Sequence, residues 1–193
     1  MVILCDTSSI LMLLRICPEM FSDLRFECKT IREVHDEIVR TTKFKSKYPW
    51  TREMRDRIRP LVLTDAQKKT ESDHFSTVRE LINFGTTNKV TKMLFDLSFV
   101  DIKVVTHCVT LGCCVTSGDK NLVQFLHQEY AAAFSGSISP LGIINDWLEK
   151  ELIAWNDEKQ KMLSDWAELN EPVQPSAEKS RFKRLTKYQY AGS

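Results

Sequence analysis

No run of apolar residues approaches the roughly 20 that a membrane-spanning helix needs, so no span is expected. The apolar start is broken by Asp6-Thr7-Ser8-Ser9 and no basic residue precedes it, which argues against a secretory leader. The six cysteines, Cys5, Cys17, Cys28, Cys108, Cys113 and Cys114, include no C-x-x-C pair. Four of them lie inside apolar runs, which favours small buried hydrophobes in a reducing, cytoplasmic compartment over disulfides or zinc. The neighbours His107 and Cys108 have no second ligand pair at zinc spacing. No internal repeat is present, and net charge is nearly absent, at +1 over 193 residues.

That small net charge conceals an uneven distribution. From Arg40 to Lys69 there are ten Lys and Arg against three acids, a formal +7, which leaves about −6 for the rest. Such asymmetry suggests a polyanionic partner. Lys43, Lys45, Lys47, Arg55, Arg57 and Arg59 are the candidate phosphate contacts, with Tyr48 and Trp50 placed to stack on unpaired bases. A solvated, charge-rich loop is the plainer reading of the same segment.

Val2-Ile3-Leu4-Cys5 reads as a short buried strand, with Ser8 or Ser9 capping a helix from about Ile10. Thr30-Ile-Arg-Glu33 has capping-box form and predicts a helix through Ile38. The stretch after Arg40 predicts a loop and a short helix from Thr51 to Arg59. Leu61-Val62-Leu63 predicts a second strand, and Thr64 or Asp65 starts a helix to about Phe84. A helical region in two pieces is expected from Lys89 to Leu111, ended by Gly112. Cys113–Thr116 predicts a third strand, and Ile138 opens a last one. Alternating strands and helices imply an α/β fold with a mostly parallel sheet. Residues 141–169 predict a helix bearing Trp147, Trp155 and Trp166, and the polar tail after Pro172 is expected to be loosely held.

In a parallel sheet the functional crevice lies at the carboxyl ends of the strands, where Asp6 and Asp119 fall. Each would serve equally well as the N-cap of the helix after it. Asp101 lies within the apolar stripe Leu97, Val100, Val104, Cys108, Leu111, a costly place for a carboxylate unless it is paired or bound to metal. Alternatively, Ser98-Phe-Val-Asp101 is an aspartate version of the capping box. On the helix after Thr30, Glu37 flanks the apolar stripe, whereas Asp36 points to solvent.

An apolar strand ending in Asp6-Thr7-Ser8, then TIREVHDEI with Glu37, LSFVD with Asp101 and VTSGDKNL with Asp119, resembles a PIN-domain nuclease over residues 1–140. The resemblance implies a three-layer α/β/α sandwich. It also implies an acidic crevice in which Asp6, Glu37, Asp101 and Asp119 hold Mg²⁺ or Mn²⁺ and cleave RNA. Ser8 and Ser117, with Thr116 as a competitor, match positions where the family keeps hydroxyls beside the acids. Residues 1–140 would then form the nuclease domain, with a basic insertion at about 40–69, and residues 141–193 a helical extension and basic tail. A homodimer and a protein partner such as an antitoxin are further partners this reading admits.

Three departures from the pattern stand out: the long stretch between Glu37 and Asp101, the lengthening of the turn by Gly118, and the extension after residue 140. An aspartate-nucleophile phosphatase fits less well, since it wants an Asp where Ser8 stands and another where Val123 stands. A PIN-like scaffold that binds RNA or protein without cleaving is the non-enzymatic alternative. Geometry separates the two, because catalysis asks the four carboxylates to face one cavity.

Overall fold

The computed structural model describes residues 2–169 and 171–192. The fold is α/β, built on a four-stranded, all-parallel sheet and consistent with three layers. Strand β1 (Ile3–Cys5) is buried throughout and leads directly into α1 (Thr7–Ile16). The helix begins at Thr7 rather than near Ile10 because Asp6, not Ser8 or Ser9, is its N-cap, accepting from Ser9 N at 2.7 Å.

The second strand is not Leu61–Leu63 but β2 (Cys28–Lys29), paired with β1. Thr30 does not cap the next helix. It bridges to Pro60 and donates its hydroxyl to Cys5 O at 2.9 Å, while Ile31 occupies the N-cap of α2 (Arg32–Arg40) without a side-chain bond. Leu61 N donates to Thr30 O at 2.8 Å, but pairing ends there, and Val62 is 88% exposed.

The basic stretch is more helical than expected. It forms α3 (Thr42–Lys47) and α4 (Thr51–Met54), followed by a 3₁₀ turn at Arg55–Arg57. Helix α5 (Asp65–Asn83) starts at a full Thr64–Gln67 capping box. No helix covers residues 86–97. Thr87 bridges antiparallel to Leu94, Asn88 Oδ1 accepts from Val90 N at 2.8 Å, and Lys92 takes a left-handed φ of 62°. Helix α6 (Phe99–Leu111) then ends at Gly112, whose φ of 59° suits glycine.

Strand β3 (Cys114–Thr116) pairs with β1 on the side opposite β2. Helix α7 (Lys120–Glu129) leads to β4 (Ser137–Ile138), giving the order β2-β1-β3-β4. The order of strand addition therefore reverses between β1 and β3, which is where open α/β sheets place their ligand crevice.

Residues 141–169 are two helices, α8 (Pro140–Glu149) and α9 (Asp157–Glu168). They are interrupted where Glu151 turns left-handed at φ 53° and Asn156 caps α9. The tail is ordered as α10 (Ser176–Thr186), which packs on α8. Its Phe182 is completely buried edge-on against Trp155, with ring centroids 4.8 Å apart. Trp147 meets Phe26 in the same way at 5.0 Å, and Arg15 of α1 pairs with Asp165 of α9 at 3.1 Å. The polar spacing of this tail concealed a few large apolar anchors. All six cysteines are buried and free. Among the described residues no helix is long and apolar enough to cross a membrane.

Candidate functional site

Asp6 stands at the switch point, 5% exposed, with its N–H donating to Thr116 O at 3.2 Å. Ser8 Oγ reaches both carboxylate oxygens, at 3.0 and 2.9 Å, and Ser117 Oγ donates to Oδ2 at 2.5 Å. Burial pushes the Asp6 carboxyl up to about 6, against the opposing effect of the hydrogen bonds from Ser117, Ser9 and Ser8. Thr116 does not touch it: completely buried, it faces Ser9 Oγ at 3.4 Å, so Ser117 is the hydroxyl beside the carboxylate.

A polar line extends from Asp6 in both directions. On one side Thr7 Oγ1 donates to Glu37 Oε2, bringing α2 to the start of α1. On the other, Asp119 N donates to Ser117 Oγ at 2.9 Å, and Gly118 N to Ser8 Oγ at 2.9 Å. Asp119 caps α7, accepting from Asn121 N at 2.7 Å, and Asn121 Nδ2 donates to Asp96 O at 2.7 Å.

Asp101 completes the reciprocal capping box of α6, bonded by Ser98 N at 2.9 Å. Burial holds its carboxyl above the ordinary value, and the charges of Asp119 and Asp96 add to that effect, while bonds from Ser98 oppose it. The capping-box reading of Asp101 is the one the structure shows.

The four acids are thus joined along a line of contacts, from Glu37 through Thr7 to Asp6 and through Ser117 to Asp119, whose charge reaches Asp101. Among the described residues no three Asp, Glu, His or Cys form a ready-made metal-holding group. Asp36 stands apart, tied to Arg40 at 3.3 Å and Arg32 at 3.9 Å on the outer side of α2. His107 Nδ1 lies 2.8 Å from Lys103 O, beside the buried Glu71.

The basic segment requires a correction. Tyr48 is 2% exposed and its hydroxyl donates to Glu171, so its ring is closed to a nucleobase. Trp50 leans edge-on against Tyr48, with centroids 6.4 Å apart, and Lys47 is paired with Glu171. Lys43, Arg55, Arg57 and Arg59 are exposed, and Lys45 is partly so.

Two contacts escaped the sequence reading, that of Thr7 with Glu37 and that of Pro172 with Gly118. The Asp-x-x-Ser spacing of positions 6–9 was a usable capping signal. Nothing local marks Pro172, whose ring lies against Gly118, so that a Cβ there would sit 3.0 Å from Pro172 Cγ and 3.0 Å from Ser8 Oγ. Comparison with protein-family models, curated proteins and solved structures returned no significant match.

Proposed function

We propose that this chain is a metal-dependent nuclease of the PIN-like kind, acting on RNA. The observation that carries the reading is Asp6, a buried carboxyl at the switch point of a parallel sheet with hydroxyls on two sides. A carboxylate offers about four lone-pair sites. Ser9 N–H, Ser8 O–H and Ser117 O–H donate to them, so the carboxylate is held both from the start of α1 and from the turn after β3.

The donor set around Asp6, Asp101 and Asp119 consists of oxygen, which suits Mg²⁺ or Mn²⁺. When bound, such an ion neutralises phosphate charge and makes hydroxide available near neutral pH. Among the described residues Asp6, Asp119 and Asp101 are not gathered into a ready-made group for it, so they would have to draw together to hold it, with Glu37 at the other end of the line. Ser117 fixes the orientation of Asp6, and its own rotamer is fixed by the amide of Asp119. The exposed Lys43, Arg55, Arg57 and Arg59 would offset the repulsion between phosphate and an acidic line.

A non-cleaving PIN-like scaffold is the second reading, favoured by the absence among the described residues of a ready-made metal-holding group and by Pro172 lying against Gly118. Incubating RNA and single-stranded DNA with the full chain in Mg²⁺, Mn²⁺ or EDTA separates the two. Cleavage in metal, none in EDTA and none by Asp6→Asn is the expected result. Equal cleavage by a pure Asp6→Asn protein, or none under any condition, would refute the nuclease reading.

A further inference from the structure

A cavity of about 560 Å³ opens directly beside Ser117, Gly118 and Asp119. That volume falls within the roughly 300–1,000 Å³ typical of small-molecule pockets. Its walls are mainly apolar, from Val123, Ile138, Val173 and Pro175, and Val173 is 56% exposed. Polar side chains share that lining, and two of them bear on a ligand. Gln124 Oε1 accepts from Asn88 Nδ2 at 2.6 Å, which leaves the Gln124 NH₂ group as a donor. Lys120, exposed at the first turn of α7, supplies a cation next to Asp119.

The acids at the far side share one guanidinium, which Glu149 also engages. Arg181 pairs with Asp146 at 2.7 Å and with Glu178 at 3.4 Å, so that wall presents hydrogen-bonded ion pairs and no bare carboxylate. Apolar walls, one amide edge and one cation at the mouth suit a flat ring with a polar rim, linked to an anion.

We infer that this cavity is a mononucleotide subsite: it seats one base of the substrate, with the phosphate at the Lys120–Asp119 mouth. The inference rests on the phosphodiesterase reading of the acidic line, because the cavity and that line share Ser117–Asp119. A group bound in the cavity is then the nucleoside adjoining the phosphate under attack. The ring faces gain from apolar contact, and the Gln124 amide reads a carbonyl or ring nitrogen on the base edge.

The test is calorimetric titration of the full chain in EDTA with the four ribonucleoside 5′-monophosphates, the parent nucleosides and inorganic phosphate. At least one mononucleotide should bind saturably, and phosphate alone should not displace it. Ala177→Trp, at an exposed position on the cavity wall, should weaken that binding at least tenfold with circular dichroism unchanged. Lys120→Ala should weaken the mononucleotide and leave its nucleoside unaffected. Failure of all four mononucleotides to bind, or equal binding by Ala177→Trp, would overturn the inference. Asp6→Asn should bind as the wild type does. Absence of cleavage with binding retained therefore removes only the catalytic reading, and cleavage without binding removes only the subsite.

Discussion

Ser117 Oγ donates a 2.5 Å hydrogen bond to Asp6 Oδ2 across the join between β3 and β1. The bond holds a carboxyl whose affinity for its proton burial has raised to about 6 from the ordinary 3.8. The folded protein therefore binds that proton more tightly than the unfolded chain does. The associated stability is fully present below about pH 4 and is lost as pH rises through about 6, a change of about 3 kcal/mol. Urea unfolding from pH 3.5 to 7 should show wild type losing ground to Asp6→Asn across that window. Parallel curves for the two proteins would contradict it. Ser117→Ala, which removes a bond that lowers the value, should move the window upward.

Asp101→Asn keeps the shape of the α6 cap but removes a charge from the acidic line. Cleavage of RNA should fall by on the order of a hundredfold or more, the scale on which single electrostatic stabilisers act. Asp36→Asn disturbs the pairs with Arg32 and Arg40 and the contact with the neighbouring His35 ring, exposed pairs of this kind being worth roughly 0.2–1 kcal/mol. Its initial rate should stay within about twofold of wild type, and a loss as large as that of Asp101→Asn would show that the line has been misassigned.

Gly118→Ala should destabilise the fold by about 1–3 kcal/mol, since a Cβ there meets Pro172 and Ser8 at 3.0 Å each. Adding Pro172→Ala should recover part of the loss, because it relieves one of the two contacts. Strict additivity of the two changes in a double-mutant cycle would mean that the contact is not felt.

Binding of single-stranded RNA in Ca²⁺ should depend on Lys43, Arg55 and Arg57, which are exposed. Replacing all three with Ala should reduce the salt slope by about 2, at roughly 0.7 per phosphate contact. Tyr48→Phe should leave affinity unchanged, because the ring is buried and its hydroxyl is occupied by Glu171. An unaltered slope in the triple variant would dissociate this segment from RNA.

Phe182→Ala should cost about 3–5 kcal/mol, the usual penalty for emptying a buried aromatic site. The ring is fully buried and meets Trp155, so thermal unfolding should register the loss over the whole protein. A melt indistinguishable from wild type would mean that α10 does not contribute to the core.

What could be read in advance follows from how local each cause is. Val2–Cys5, Gly112 and Thr64 carry their structural reason within a few residues: an apolar run, a left-handed cap and a capping hydroxyl. Strand β2 does not. Only two residues long, it pairs because β1 lies beside it, and the apolar triplet Leu61–Leu63 was the more conspicuous but wrong choice. At the site, Asp6 was legible as a strand end, whereas Ser8 and Ser117 came from the resemblance alone, and only the folded chain separates Ser117 from Thr116. The fate of Tyr48 was not legible either, since it is decided by Glu171, more than 120 positions away. Pro172 acts from a position 54 residues beyond Gly118, its ring lying against that glycine only in the folded chain.

The central place of β1 in the sheet also sets an order of assembly. Pairing residue 3 with residue 28 closes a short loop, whereas pairing it with residue 114 closes one about four times longer. By loop-closure entropy the second step costs roughly 1.2 kcal/mol more. The intervening α5–α6 helical pair is local and can form first, shortening the distance to be searched. Until β3 docks, Asp6 has neither Ser117 beside it nor Asp119 behind that serine. A chain that has folded only its neighbouring contacts carries no crevice, and the crevice comes into being with the last long-range strand pairing.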